Sequence, residues 1–203
     1  MTFISRRHLL LGGGAAALGM LQQTNGLAAL PGPAFPRPAL LQRALSALDR
    51  HHATLKHRDV IGIVDFSQAS RIPRFHIVDV MSGRSQSLLV AHGRGSDPDH
   101  SGWVERFSNS PGSAASSAGA YLVGNGYSGK HGRSQRLIGL DPENSNAEAR
   151  AIVIHAASYV SDDIVRATGK LGRSQGCFAV AQADIAQILG RLGPGRMIYA
   201  AKL

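Results

Sequence analysis

Apolar residues at positions 40, 41, 44, 45, 48 and 55 recur at the three-to-four spacing of one helix face, which predicts a single amphipathic helix over residues 39–56. The stretch Pro31-Gly32-Pro33-Ala34-Phe35-Pro36-Arg37-Pro38 leads into it as a stiff joint. From residue 60 the texture changes to short β-rich runs cut by Gly, Pro, Asp and Ser: 60–66, 74–80, 87–92, 120–123, 136–140, 151–155 and 196–200. Such runs predict a mainly β chain, folded as a mostly antiparallel sandwich or barrel. Two helices interrupt the strands. Residues 162–168 follow Ser161 as N-cap, with acids at the positive end, and residues 182–192 place Ile185, Ile188, Leu189 and Leu192 on one face.

Between His92 and Ala120 lies a polar, Ser- and Gly-rich segment with the single tryptophan, Trp103. Its length suits a lid or binding loop, the bland reading being a disordered surface insertion. Gly124-Asn125-Gly126-Tyr127-Ser128-Gly129 spells a dinucleotide fingerprint, but residues 130–140 after it are strand-like rather than helical, so no cofactor is expected there. Gly-Arg-Ser-Gln occurs at 83–86, 132–135 and 172–175 without shared flanks, which reads as three turns rather than a repeat fold. His51, His52 and His57 lack the spacing of a helical metal pair and are expected to form a solvated helix end.

Composition narrows the class. With 203 residues, 43% hydrophobic and only 17% charged, the chain can bury a core as one globular unit and is not disordered as a whole. The N-terminus opens with Ser5-Arg6-Arg7, runs through an apolar middle and reaches small residues near Ala28. This resembles a bacterial twin-arginine signal, which implies residues 1–28 as an export signal read by the Tat machinery, a periplasmic or cell-envelope location, and no stable membrane insertion after cleavage. An uncleaved anchor is the alternative. Residues 29–57 then form the joint and N-terminal helix, and 58–203 the main domain. Of the 22 basic residues 18 are arginine, and no cluster of four or more marks a nucleic-acid footprint, so nucleic acid is not an expected partner.

The chemistry centres on one cysteine. Cys177 cannot form an internal disulfide, and an idle thiol is an oxidation hazard outside the cytoplasm. Its setting, Leu171-Gly172-Arg173-Ser174-Gln175-Gly176-Cys177-Phe178-Ala179-Val180, leads from small residues into an apolar run, as at the mouth of a buried strand. An ordinary thiol is mostly protonated at neutral pH, so a nucleophile needs a base. His155 ends the run Ala151-Ile152-Val153-Ile154 and is the best candidate; the competing reading is an inert buried cysteine and a core histidine. An activated Cys177 is expected to alkylate faster than a model thiol at pH 7.

Ile154-His155, followed after a gap by Ser174-Gln175-Gly176-Cys177, resembles the signature of the L,D-transpeptidase catalytic-domain (YkuD-like) family, in the branch with Gly-Arg-Ser-x-Gly-Cys at the nucleophile. Further blocks fit: Ile63-Val64-Asp65-Phe66-Ser67, Val90-Ala91-His92-Gly93, Arg106-Phe107-Ser108-Asn109, Tyr127-Ser128-Gly129-Lys130-His131-Gly132 and Arg136-Leu137-Ile138-Gly139-Leu140. The resemblance covers residues 58–181. It departs from the main family at Gln175, where a second histidine is usual, at Ala156 in place of Gly, and at Ala179 in place of Asn.

The resemblance implies an L,D-transpeptidase-like β-sandwich or barrel with a few peripheral helices. It implies acyl transfer on peptidoglycan stem peptides, with Cys177 as nucleophile, His155 as base, Ser174 orienting the loop, and N–H groups near Gly176 and Cys177 holding the oxyanion. Arg173, Lys130, Arg136 and His131 are the expected substrate-binding residues, and His92 is a further histidine without an assigned part. Neither metal nor cofactor is required. The thioester acyl-enzyme would cross-link stems or exchange the terminal D-amino acid; transfer to water, giving an L,D-carboxypeptidase, and a non-catalytic wall-binding module are the alternatives. A papain-type protease is excluded because no histidine follows Cys177.

Overall fold

A computed structural model describes residues 35–203, so the expected export signal lies outside the described residues. Helix α1 (Pro38–Arg50) starts with Pro38 in its first turn and buries Leu40, Ala44, Ala47 and Leu48 on one face. It is shorter than its apolar spacing predicts. His51 leaves the helix and its Nε2 meets an Asp141 carboxylate oxygen at 2.8 Å, so it is not simply solvated. Leu55 still reaches the same apolar cluster from the turn beyond. At the other end, Arg37 donates Nε and Nη2 to the buried Asp65 carboxylate at 2.8 and 3.0 Å, clamping the helix to the sheet.

The strands are β1 (Val60–Asp65), β2 (Phe75–Asp79), β3 (Ser85–Leu88), β4 (Val90–Ala91), β5 (Gly119–Gly129), β6 (Gly132–Gly139), β7 (Val153–Ala156), β8 (Phe178–Val180) and β9 (Met197–Ala201). They form one sheet in the order β3-β2-β1-β9-β5-β6-β7-β8-β4. Pairing is antiparallel except for β1 with β9 and β7 with β8. The strands at the two ends of that order, β3 and β4, are separated in the chain by Leu89 alone. A sheet whose ends lie one residue apart has curled round on itself, and the apolar clusters confirm it.

One cluster takes residues from all nine strands, among them Val64, Ile77, Leu88, Val90, Tyr121, Leu137, Ile154, Phe178 and Ile198. This is the interior, plugged at one end by Ile188 and Leu192 of the region of α3 (Ile185–Arg191). Gly62 belongs to the same inner face: a Cβ there would stand 2.9 Å from Phe75 and Ile198 and 3.0 Å from Leu192. The alternate residues Ile61, Ile63, Met197 and Ala201 face outward under α1. A third cluster, with Leu89, Ala91, Ala179 and Val165, lies beneath α2 (Asp162–Thr168). That helix has the expected ends: Ser161 Oγ accepts from Ile164 N, two acids occupy the first turn, and Gly169 closes it at φ 74°.

The segment between β4 and β5 is not a loose insertion. Ser116 is fully buried; its Oγ donates to Gly176 O and accepts from Gly93 N, both at 3.0 Å. Arg150 reaches the segment from the far side, donating to Ser108 O at 2.6 Å and Ser117 Oγ at 2.7 Å. The long polar loop is thus sewn to the loop that carries the cysteine.

Candidate active site

The Cys177 loop is held by its own short residues. Ser174 Oγ donates to Cys177 O at 2.7 Å and accepts from Gly176 N at 3.1 Å, while Ser174 N donates to His92 O at 2.9 Å. Gly176 sits at φ 115°, where a Cβ would lie 2.7 Å from Ala115 O, so both conformation and space demand glycine. Immediately beyond Cys177, the Phe178 ring makes edge contacts with Phe66 and Tyr121 at centroid distances of 5.7 and 5.4 Å. The nucleophile candidate is therefore bolted to the aromatic centre of the core.

Parallel pairing of β7 with β8 sets His155 opposite Ala179. Cys177 stands immediately before β8, beside the chain that leads into β7. His155 and Cys177 both line one cavity of about 620 Å³. His155 Nδ1 lies 2.9 Å from Ala156 O. A carbonyl can only accept, so Nδ1 carries the proton and the neutral ring keeps its lone pair on Nε2. The ring is buried and stacks on His131 at 4.3 Å between centroids. Burial first, then the positive field of His131 and Lys130, lowers the His155 pKa against the Ala156 hydrogen bond that raises it.

Burial likewise pushes the Cys177 thiol up, and the Val153 N–H with the charges of Arg150 and Lys130 only partly offset this. The sulfur lies 3.6 Å from Ala151 O. A raised thiol beside a lowered imidazole is a neutral pair at rest rather than a thiolate–imidazolium pair. These shifts argue for a thiol less reactive than a model compound at pH 7, against the expectation from the sequence.

Of the residues singled out from the sequence, Cys177, His155, Ser174, Arg173, Lys130 and His131 all line the cavity. Arg173 donates to Asp97 O and, at 3.0 Å, to Pro98 O, so its guanidinium is partly committed to the loop. Gly176 stands behind the wall with its N–H already given to Ser174, whereas the Cys177 N–H, the other expected oxyanion donor, faces its own sulfur. Arg136 is outside the cavity lining; its guanidinium covers the Tyr127 ring at 5.1 Å. His92 is a structural residue. Arg74 donates to its Nδ1 at 2.7 Å, so Nε2 carries the proton and donates to Asp97 at 3.1 Å, all three being buried.

Other wall residues left little trace in the sequence: Arg94, Arg150, Tyr159, Ala114 and Ala151. The two alanines adopt positive φ, 51° and 54°, which side-chain identity does not announce. Tyr159 is betrayed only by Gly172, whose absent Cβ would stand 2.6 Å from the tyrosine. Among the described residues no group of three or more His, Cys, Asp or Glu side chains is arranged to hold a metal ion.

The model of the L,D-transpeptidase catalytic domain matches residues 36–201, adding α1 and the last strand to the stretch that the sequence motifs cover. No curated protein matches the chain. Similar solved structures include an L,D-transpeptidase from Mycobacterium smegmatis, 12% identical over 70% of this chain and 58% of that one, with a TM-score of 0.43. An L,D-transpeptidase from Xylanimonas cellulosilytica is 14% identical over 78% of this chain and 69% of that one, at 0.42. The helical cell shape determining protein Pgp2 from Campylobacter jejuni is 12% identical over 83% and 57%, at 0.44.

Proposed function

The chain belongs to the L,D-transpeptidase catalytic-domain family, and on that premise we propose that it is a cysteine-dependent L,D-transpeptidase acting on peptidoglycan stem peptides. The observation that carries the reading is the meeting of Cys177, just before β8, and His155, on the paired β7, in one cavity, with the His155 lone pair held on Nε2 by the Nδ1–H bond to Ala156 O.

In the first half-reaction the Cys177 sulfur attacks the carbonyl of the third-position diamino acid as His155 Nε2 takes the thiol proton. The tetrahedral oxyanion is met by the Cys177 N–H. Its collapse breaks the amide bond, the terminal D-amino acid leaves with the proton from His155, and a thioester remains. In the second half, an amine of a neighbouring stem gives a proton to His155 and attacks the thioester, restoring the thiol and forming the crosslink. Because thiol and imidazole are both neutral at rest, proton removal accompanies attack rather than preceding it. The substrate lies outside the cytoplasm, and residues 1–28 serve as the twin-arginine export signal that takes the domain there.

Purified tetrapeptide muropeptides incubated with the wild-type domain and with Cys177→Ala, and resolved by mass spectrometry, test this. Cysteine-dependent dimers joined through the third residue are expected. Tripeptides alone would replace the transpeptidase with a carboxypeptidase, and no product with either protein would favour a wall-binding module.

A further inference from the structure

The cavity around Cys177 is walled by four cationic side chains, Arg94, Lys130, Arg150 and Arg173, and by no carboxylate. Two of these have their donors committed: Arg150 to Ser108, Ala115 and the hydroxyls of Ser113 and Ser117, and Arg173 to Asp97 and Pro98 carbonyls. They set the sign of the field more than the geometry of recognition. Arg94 is placed differently. Its side chain is exposed at the cavity wall and has no hydrogen-bond or ion-pair partner among the described residues.

Its backbone, by contrast, is fixed to the nucleophile loop. Arg94 N donates to Ser174 O at 2.8 Å, and Gly93 pairs with Ser174 in an isolated bridge. The glycines on either side pack backbone to backbone: a Cβ on Gly93 would fall 2.6 Å from Gly176 N, and one on Gly95 would fall 2.1 Å from Ser113 O. The Gly-Arg-Gly turn thus lies flush against the nucleophile loop on one flank and against residues 113–115 on the other, and presents a single free guanidinium from a rigid base. A planar fork with five donors matches a carboxylate in two-point fashion, whereas a carboxamide loses the charge and half of the acceptors.

We infer that Arg94 is the specificity residue that reads a free carboxylate on the acyl-donor peptide next to the bond being cut, so that the site selects unamidated stems. This rests on Cys177 acting on stem peptides as proposed above. Lys130, on the β5–β6 turn, adds positive potential to the same cavity.

The test uses tetrapeptide donors in which the C-terminal carboxylate, or the side-chain carboxylate of the diamino acid, is either free or converted to the carboxamide. Release of the terminal amino acid is followed with wild type, Arg94→Gln and Arg94→Lys. One of the two amidations is expected to lower wild-type kcat/KM about ten- to a hundredfold, the range of a charge-assisted hydrogen bond. Arg94→Gln should bring the free-carboxylate donor down to the level of the amidated one, mainly through KM, and Arg94→Lys should recover part of the preference. Equal turnover of free and amidated donors by wild type, or a preference that survives in Arg94→Gln, overturns the assignment alone. Absence of turnover with every donor would remove the proposed function, and the assignment with it.

Discussion

A buried imidazole and a half-buried thiol face the same cavity, and desolvation moves them in opposite directions. The His155 imidazole sheds its proton more readily than in water, so the base remains available below the ordinary histidine pKa of about 6.5. The acid limb of a kcat/KM profile should therefore fall below that value. The Cys177 thiol holds its proton more tightly, so alkylation by iodoacetamide should be slower than that of a model thiol at pH 7, with its midpoint above the usual cysteine range. Faster alkylation at neutral pH would show that a thiolate is already present. At this scale Cys177, His155 and Ser174 were legible because their partners stand beside them in the sequence or end a plain apolar run. Arg94 and Arg150 were not, because their places depend on turns made by Ala114, Ala151 and tightly packed glycines.

The elements repeat this division. Helix α2 and the buried stripe of α1 follow directly from their own residues, and so do most strands. The parallel pairings do not, because β1 meets β9 and β7 meets β8 across long stretches of chain that impose no local pattern. The β5–β6 hairpin also runs through the glycine-rich stretch 124–129, where sequence suggested an interruption. Two histidines locked into elements make stability depend on pH. Burial pushes His76, on β2, and His92, just after β4, down to about 4. The unfolded chain binds protons at these sites from about pH 6.5 downward while the folded one resists, so stability is full above that point and is lost as pH falls toward 4. Urea melts over this window should show a loss of about 3 kcal/mol for each histidine. A flat profile would mean that both rings accept protons without leaving their places.

For the whole molecule, the export reading is separable from the catalytic one. Replacing Arg6 and Arg7 by lysine should leave the purified domain's chemistry intact while the precursor accumulates in the cytoplasm, as followed by fractionation and immunoblotting. A β-dominated sandwich or barrel with peripheral helices was readable from strand spacing, but the point at which it closes was not. The joint between β3 and β4 is one residue, Leu89, which resembles any other apolar residue until the sheet order is known. That joint has a consequence for behaviour in a crowded compartment. Extended chains aggregate by adding strands to long, unpaired sheet borders. Here the two terminal strands are four and two residues long and follow each other directly, so a passing chain finds little backbone on which to grow a fibril.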